Sequence, residues 1–307
     1  MSEVKSGAVG YRRSVDLVRF AAAFGIVWDH ARAPFADIGY LALALFLVIT
    51  SYLAVGSFER SDGRSFWLVR AQRIAVPWLV WCVVFRVVYE VVSDEPFAVL
   101  SDPWTLLIGP SVHLWFLPFV MLALPLIPLL SRYVKTRREL FVACCGLVAV
   151  ALPLGWMHAE VAPLAWFYSE GPFPQPLPQW FFALPLFLYG ALAGIARRVG
   201  ASGMVLATAA VVSVSLWVLA PEFPSLQMIL TALVFEAIWR IDLKGTWPTM
   251  LAHSAFGIYL MHPAFMLLAF KLFGTGMDRS FGALFTFFGA WAATWVLRRL
   301  PVARRFV

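Results

Sequence analysis

Charge is what this chain has least of. Asp, Glu, Lys and Arg make up 13% of its 307 residues, against about 25% in an average soluble domain. That is roughly half the charge needed to coat a water-soluble globule, so a soluble enzyme, a nucleic-acid-binding domain and a disordered chain are excluded. Cysteine is scarce as well. Cys82, Cys144 and Cys145 are the full set, and each sits inside an apolar run, so neither a disulfide framework nor a zinc site follows and no metal ligand set is expected. An internal repeat is missing, which removes the inverted-repeat signature of many transporters. The first apolar segment, Val15 to Phe35, has no small-residue cleavage site after a clean apolar core. It carries Asp16, Arg19, Asp29, His30 and Arg32, and reads as a retained span rather than a signal peptide.

What is abundant is apolar length. Hydrophobic residues make up 62% of the chain and the mean hydropathy is +0.81, enough for about ten membrane helices of about 20 residues each. Runs long enough to cross a bilayer fall at 15–35, 38–58, 72–92, 112–131, 140–157, 179–196, 203–220, 224–240, 251–272 and 280–297. The net charge of +7 is dispersed in short basic clusters between these runs, as topology signals are, and no nucleic-acid partner is implied. One set of connectors holds Lys5, Arg12 and Arg13; Arg60, Arg64, Arg70 and Arg73; Arg132, Lys135, Arg137 and Arg138; Arg197 and Arg198; Arg240 and Lys244; and Arg298, Arg299, Arg304 and Arg305. The alternate connectors are nearly free of them: stretches 93–111, 158–178 and 221–225 contain no Lys or Arg but hold Asp94, Glu95, Asp102, Glu160, Glu170 and Glu222. The positive-inside rule then places both termini in the cytoplasm, in agreement with an even number of spans. The expected fold is all-α and polytopic: a cytoplasmic N-terminal segment over 1–14, a ten-span membrane domain over 15–297 and a basic cytoplasmic tail over 298–307.

Two irregularities stand out. The connector from Ala159 to Pro178 is rich in proline and aromatics, among them Trp166, Phe167 and Tyr168, a composition suited to an interfacial lid or acceptor platform as well as to a plain tether. Pro118, Pro125 and Pro128 in the fourth run predict a broken or kinked helix.

An Asp or Arg at the centre of a span costs about 2.5–3.5 kcal/mol on insertion, so each one kept there is a candidate for function. Arg19 and His30 are eleven residues apart. At about 100° and 1.5 Å per residue that is three turns plus about 20°, with a rise of about 16 Å. They share one face of one helix, Arg19 near the inner headgroups and His30 deep toward the outer half. Plain readings stand beside this one: Asp16 is placed to pair with Arg19, Arg19 can snorkel, and an intramembrane His can be polar glue between spans. Arg70 and Arg73, three apart at the inner end of the third run, present two guanidinium forks suited to phosphate, although positive-inside arginines are common there. His113 and Trp115 open the fourth run, where an aromatic belt would also account for Trp115. Tyr259 and His262 lie well inside the ninth, and Pro263 after them is expected to break the helix. Glu236 has no evident role.

These segments, in this order, resemble the membrane-bound acyltransferase-3 family of bacterial O-acyltransferases. Arg19 through His30 fits that family's Arg/Lys-x10-His motif, Arg70-Ala71-Gln72-Arg73 its Arg-x-x-Arg motif, and Ser51-Tyr52-Leu53 a second-span signature. His113-Leu114-Trp115-Phe116-Leu117 and Gly257-Ile258-Tyr259-Leu260-Met261-His262-Pro263 look like its later signatures. The resemblance implies transfer of an acyl group, most often acetyl, from cytosolic acyl-CoA to a sugar hydroxyl of a surface polysaccharide or glycolipid across the bacterial inner membrane. By motif, His30 would be the catalytic base, with Arg19, Arg70 and Arg73 binding acyl-CoA. His113, Trp115, Tyr259 and His262 would line the acceptor side. Acyl-CoA enters as donor substrate and no permanently bound cofactor is expected. Some relatives add a soluble esterase-like domain at the C-terminus, so this chain is expected to complete the transfer itself, to form a homo-oligomer or to use a separate periplasmic partner. A general base and an acyl-histidine both suit an imidazole here. The alternative from another class is a polytopic transporter or flippase for a glycolipid or sugar, with the buried Arg and His residues as its path.

Overall fold

Lipid cannot satisfy a backbone N–H or C=O, so apolar runs of this length have to form helices or a closed barrel. The computed structural model describes residues 12–92, 105, 109–165 and 176–307, and among them every regular element is helical. In chain order these are α1 (Arg13–His30), α2 (Ala36–Arg60), α3 (Gly63–Arg70), a π-helical turn (Ala71–Ala75), α4 (Val76–Val92), a 3-10 turn (Val112–Trp115), α5 (Phe116–Ala123), α6 (Leu126–Tyr133), α7 (Arg137–Ala165), α8 (Leu177–Arg198), α9 (Ser202–Leu219), α10 (Phe223–Arg240), α11 (Trp247–Phe273) and α12 (Arg279–Leu297). The acidic residues Asp94, Glu95 and Asp102 and residues 166–175 of the proline-rich connector, including Trp166, Phe167 and Tyr168, lie outside the described residues.

Eight spans among the described residues are long and apolar enough to cross a membrane. The α3, π-turn and α4 series forms one of them, Gly63–Val91, and the 3-10 turn with α5 and α6 another, His113–Tyr133. The two remaining expected spans are α1 and α10, both 18 residues long and both carrying ionisable groups. The break foreseen in the fourth run falls at Leu124–Pro125, between α5 and α6. Pro118 and Pro128 are instead third residues of α5 and α6, where the lost N–H has no intrahelical partner to lose. Pro263 corrects the expectation of a helix end, because α11 runs straight through it.

The chain forms two compact units that interleave in sequence. One takes Arg12, Ala44–Phe66 and Ala123–Asp242. Its central helix is α8, buried on almost every side from Phe182 to Ala196, as a helix apolar all round must be. Gly190 and Gly194 form a small-xxx-small stripe against α2. A Cβ at Gly190 would overlap Ser51 Oγ and the Val48 carbonyl, and one at Gly194 would come 3.1 Å from Val55 Cβ. At the basic end of α8, Arg197 pairs with Glu236 at 2.7 Å and stacks 4.4 Å over Trp239, so the glutamate without a role in the sequence balances a half-buried guanidinium. Tyr52 of the second-span signature packs on Trp239 and Phe235.

The other unit takes Arg13–Leu43, Trp67–Leu122 and Leu243–Val307. Here α1, α11 and α12 pack on one another. Phe20 and Phe24 lie along one stripe of α1 and meet Phe287 and Trp291 of α12 edge to face. Where α1 meets α2, Gly25 and Gly39 face each other: a Cβ on Gly39 would sit 2.7 Å from the Gly25 carbonyl oxygen. In the first unit, Asp62 caps α3, accepting from Ser65 Oγ at 2.6 Å and Ser65 N at 2.9 Å. Those bonds hold its carboxyl below the usual carboxylate range, the hydroxyl contributing most.

Two outcomes follow. Gly190→Ala is expected to destabilise the protein by about 1–3 kcal/mol through overpacking, read as a lower Tm in detergent, and adding Ser51→Ala should not restore it because the Val48 carbonyl belongs to the backbone. In a background without the three cysteines, a cysteine replacing Glu222 should react with a membrane-impermeant maleimide in intact cells, whereas one replacing Lys135 should react only after permeabilisation. The reverse labelling would overturn the orientation.

Candidate active site

Arg19, His30, Arg70, Arg73, His113, Trp115, Tyr259 and His262, spread from one end of the sequence to the other, all fall in the second of these units. Helix α1 fixes the first two. Its aromatic stripe faces α12, whereas Asp16 and His30, rotated away from it, face α11. At the inner end Asp16 is buried and accepts from Thr249 Oγ1 at 2.8 Å, with Arg19 Nη1 3.9 Å from its other oxygen. At the outer end the ring of His30 lies 5.0 Å from that of His262. Contacts 16–249 and 30–262 advance in the same direction, so α1 and α11 run parallel. Parallel running is required of the first and ninth of ten consecutive spans, which agrees with the span count. Asp16 therefore does pair with Arg19, and it ties α1 to α11 as well.

A carbonyl oxygen only accepts, so a ring nitrogen bonded to one must carry a hydrogen. His30 Nδ1–H donates to Ile26 O at 2.8 Å, which in the neutral ring leaves Nε2 as the lone-pair nitrogen. The helix stops right after it. Arg32 and Phe35 take left-handed backbone angles, φ 52° and 61°, and Trp28 Nε1 donates to Pro34 O at 2.8 Å. Such strain at non-glycine residues costs on the order of 1–3 kcal/mol each, and here it lies in the turn that ends α1 just past His30.

His262 is held by its neighbour. Pro263 has no N–H, so the carbonyl four residues before it, Tyr259 O, loses its helical partner. His262 Nδ1–H takes that place at 2.7 Å, which is why the helix continues. His262 is 0% exposed, and its Nε2 is buried with no hydrogen-bond partner.

His113 is used at both nitrogens. Nε2–H donates to Leu260 O at 3.2 Å, and Nδ1 accepts from Ser111 Oγ–H at 2.8 Å. Tyr259 in turn donates its hydroxyl to His113 O. These two cross-links clamp the 3-10 turn to α11, and the ring of His113 stands 5.1 Å from His262 and 5.0 Å from Phe85. Trp115 is buried too, but its contacts are Phe116 and Phe119. Three histidines thus come together from positions 30, 113 and 262, and only His30 and His262 keep an open nitrogen. Among the described residues no group of His, Cys, Asp and Glu could hold a metal ion.

Arg70 ends α3 and Arg73 sits in the π turn, where Val76 N reaches back five residues to Ala71 O. The wider turn swings Arg73 farther from Arg70 than an α-helical i, i+3 pair. Arg70 is half-buried, Arg73 exposed, and their like charges act on each other. Sequence reasoning did not find the π turn, Ser111 or Thr249. The His-Pro dipeptide at 262–263 is the local signal that could have found the ring's hydrogen bond, although on its own it reads only as a helix break.

No curated protein and no solved structure matches the chain. The family whose model matches is Acyl_transf_3, described as an acyltransferase domain, over residues 12–299. With that match covering nearly the whole chain, the protein belongs to the acyltransferase-3 family and is a multi-pass membrane acyltransferase.

Proposed function

We propose that this protein is a bacterial inner-membrane O-acyltransferase that moves an acyl group, acetyl in the first instance, from cytosolic acyl-CoA to a sugar hydroxyl of a surface polysaccharide or glycolipid. The observation that carries the reading is the pinned tautomer of His30: with Nδ1–H committed to Ile26 O, Nε2 is a base aimed away from its own helix. It stands at the outer end of a stripe whose inner end carries Arg19.

Chemistry assigns the rest. Arg19, Arg70 and Arg73 bind the CoA phosphates at the cytoplasmic side, and the pantetheine arm reaches outward along α1 over a rise of about 16 Å. His30 Nε2 takes the proton of the acceptor hydroxyl as its oxygen attacks the thioester carbonyl. The carbon–sulfur bond then breaks, and the imidazolium returns the proton to the departing thiolate. The products are an ester and free CoA, and His30 is neutral again. His113, Trp115 and Tyr259 form the packed support on the acceptor side. His113 cannot be the base, because both its ring nitrogens are already bonded.

Membranes containing the protein should release free CoA from acetyl-CoA when a glycan acceptor is supplied. His30→Ala should lower kcat at least about 100-fold, the low end of general-base contributions. Loss of one charge-assisted contact in Arg73→Ala should raise the donor KM about 10- to 100-fold with kcat little changed. Normal turnover by the His30 variant would overturn this mechanism, and acceptor-independent uptake of labelled sugar into proteoliposomes would favour transport instead.

A further inference from the structure

Acyl transfer by His30 with Arg19, Arg70 and Arg73 makes no use of the basic segment after α12, residues 298–307, yet that segment is fastened to the site's own unit. Trp81 of α4, itself buried, donates its indole N–H to Phe306 O at 2.9 Å. Just before that bond the chain is wound into a 3-10 turn, Ala303–Arg305, held by Arg304 N on Leu300 O and Phe306 N on Ala303 O. The helix that holds it is the one that follows Arg70-Ala71-Gln72-Arg73 in the chain. Trp81 lies eight residues past Arg73, about two turns and about 12 Å outward, so the two arginines before Phe306 stand beside the inner part of α4. The arginines of the segment differ in what they do. Arg298 donates to His253 O at 2.9 Å and Arg299 lies 3.3 Å over the Trp295 ring. Arg304 and Arg305 are exposed, and among the described residues their side chains have no hydrogen bond or ion pair. Two guanidinium groups are thus held in place with nothing to bind.

An acyl-CoA carries more negative charge than the motif arginines balance. Each phosphate of its diphosphate bridge bears one charge and its ribose 3′-phosphate about −1.5 to −2 at neutral pH, about −3.5 to −4 in all. Arg19 already shares Asp16, 3.9 Å away, so Arg19, Arg70 and Arg73 fall short of that. We propose that Arg304 and Arg305 bind the ribose 3′-phosphate of the donor, with Trp81 as the residue that positions them, while Arg70 and Arg73 keep the diphosphate. This rests on acyl-CoA being the donor, as argued above. A phosphate monoester offers three oxygens to planar guanidinium forks, the geometry that arginine matches and lysine does not. Because the indole bond to Phe306 O has already ordered the segment, little of that ordering is left to be done when the donor binds. The consequence is selectivity for CoA over donors that lack the 3′-phosphate.

Calorimetric titration of the whole chain in detergent with CoA and with 3′-dephospho-CoA reads this contact without any acceptor. The wild type should bind CoA about 10- to 100-fold more tightly than 3′-dephospho-CoA, the range for hydrogen bonds to a charged group. In the double variant Arg304→Gln, Arg305→Gln the Kd for CoA should rise to that for 3′-dephospho-CoA, which itself stays within about threefold of its wild-type value. Arg73→Gln should weaken both ligands by the same factor, because both keep the diphosphate. Trp81→Phe, which discards the indole N–H and keeps both arginines, should lose part of the preference for CoA. A double variant that prefers CoA as strongly as the wild type does overturns the proposal and leaves Arg304 and Arg305 to the membrane headgroups, and so does one that binds both ligands equally less well. Equal binding of the two ligands by the wild type removes the 3′-phosphate contact alone. If neither ligand binds the wild type, acyl-CoA is not the donor, and the function proposed above fails with it.

Discussion

A single hydrogen bond, His30 Nδ1–H to the carbonyl of Ile26, is the constraint on which the chemistry depends. It joins a side chain to its own helix, so it survives whatever the neighbouring spans do. By consuming one ring nitrogen it decides which nitrogen can act as a base and roughly where it points. The glycine crossing of Gly25 on Gly39 and the strained turn at Arg32 and Phe35 then fix the end of α1 that bears the ring.

The second constraint is the parallel pairing of α1 with α11. It is anchored at the inner end by Asp16, shared between Thr249 and Arg19, and at the outer end by the two imidazoles. A buried carboxylate is tolerated there because it has both a hydroxyl and a guanidinium. The same helix α11 collects His113 through Leu260 O and Tyr259. Residues far apart in sequence are thus brought to one place by one helix, and the proline within it, by orphaning Tyr259 O, sets the tautomer of the histidine just before it.

Much of this was legible in the sequence, for particular reasons. Span limits came from apolar length, which lipid enforces strictly, and the break near Pro125 came from proline chemistry. The shared stripe of Arg19 and His30 came from helix periodicity alone. What periodicity cannot give is contact between helices, so the meeting of His30 with His262 and the clamp at His113 became visible only in the fold. Pro263 misled for a related reason: its cost to the helix was clear, but the side chain that compensates became evident only once His262 was seen turned back on Tyr259 O. The π turn at Ala71–Ala75 left no mark in composition, and it changes how Arg70 and Arg73 are displayed.

The most direct test of the account is the protonation state of His30 in the intact, resting protein, read from nitrogen chemical shifts of 15N-histidine-labelled protein in lipid and assigned by comparison with a His30→Ala sample. The account requires His30 to carry its proton on Nδ1 and to leave Nε2 bare at neutral pH. A signal showing Nε2 protonated and Nδ1 bare would mean that the ring cannot take a hydroxyl proton as described, and would contradict the mechanism at its base.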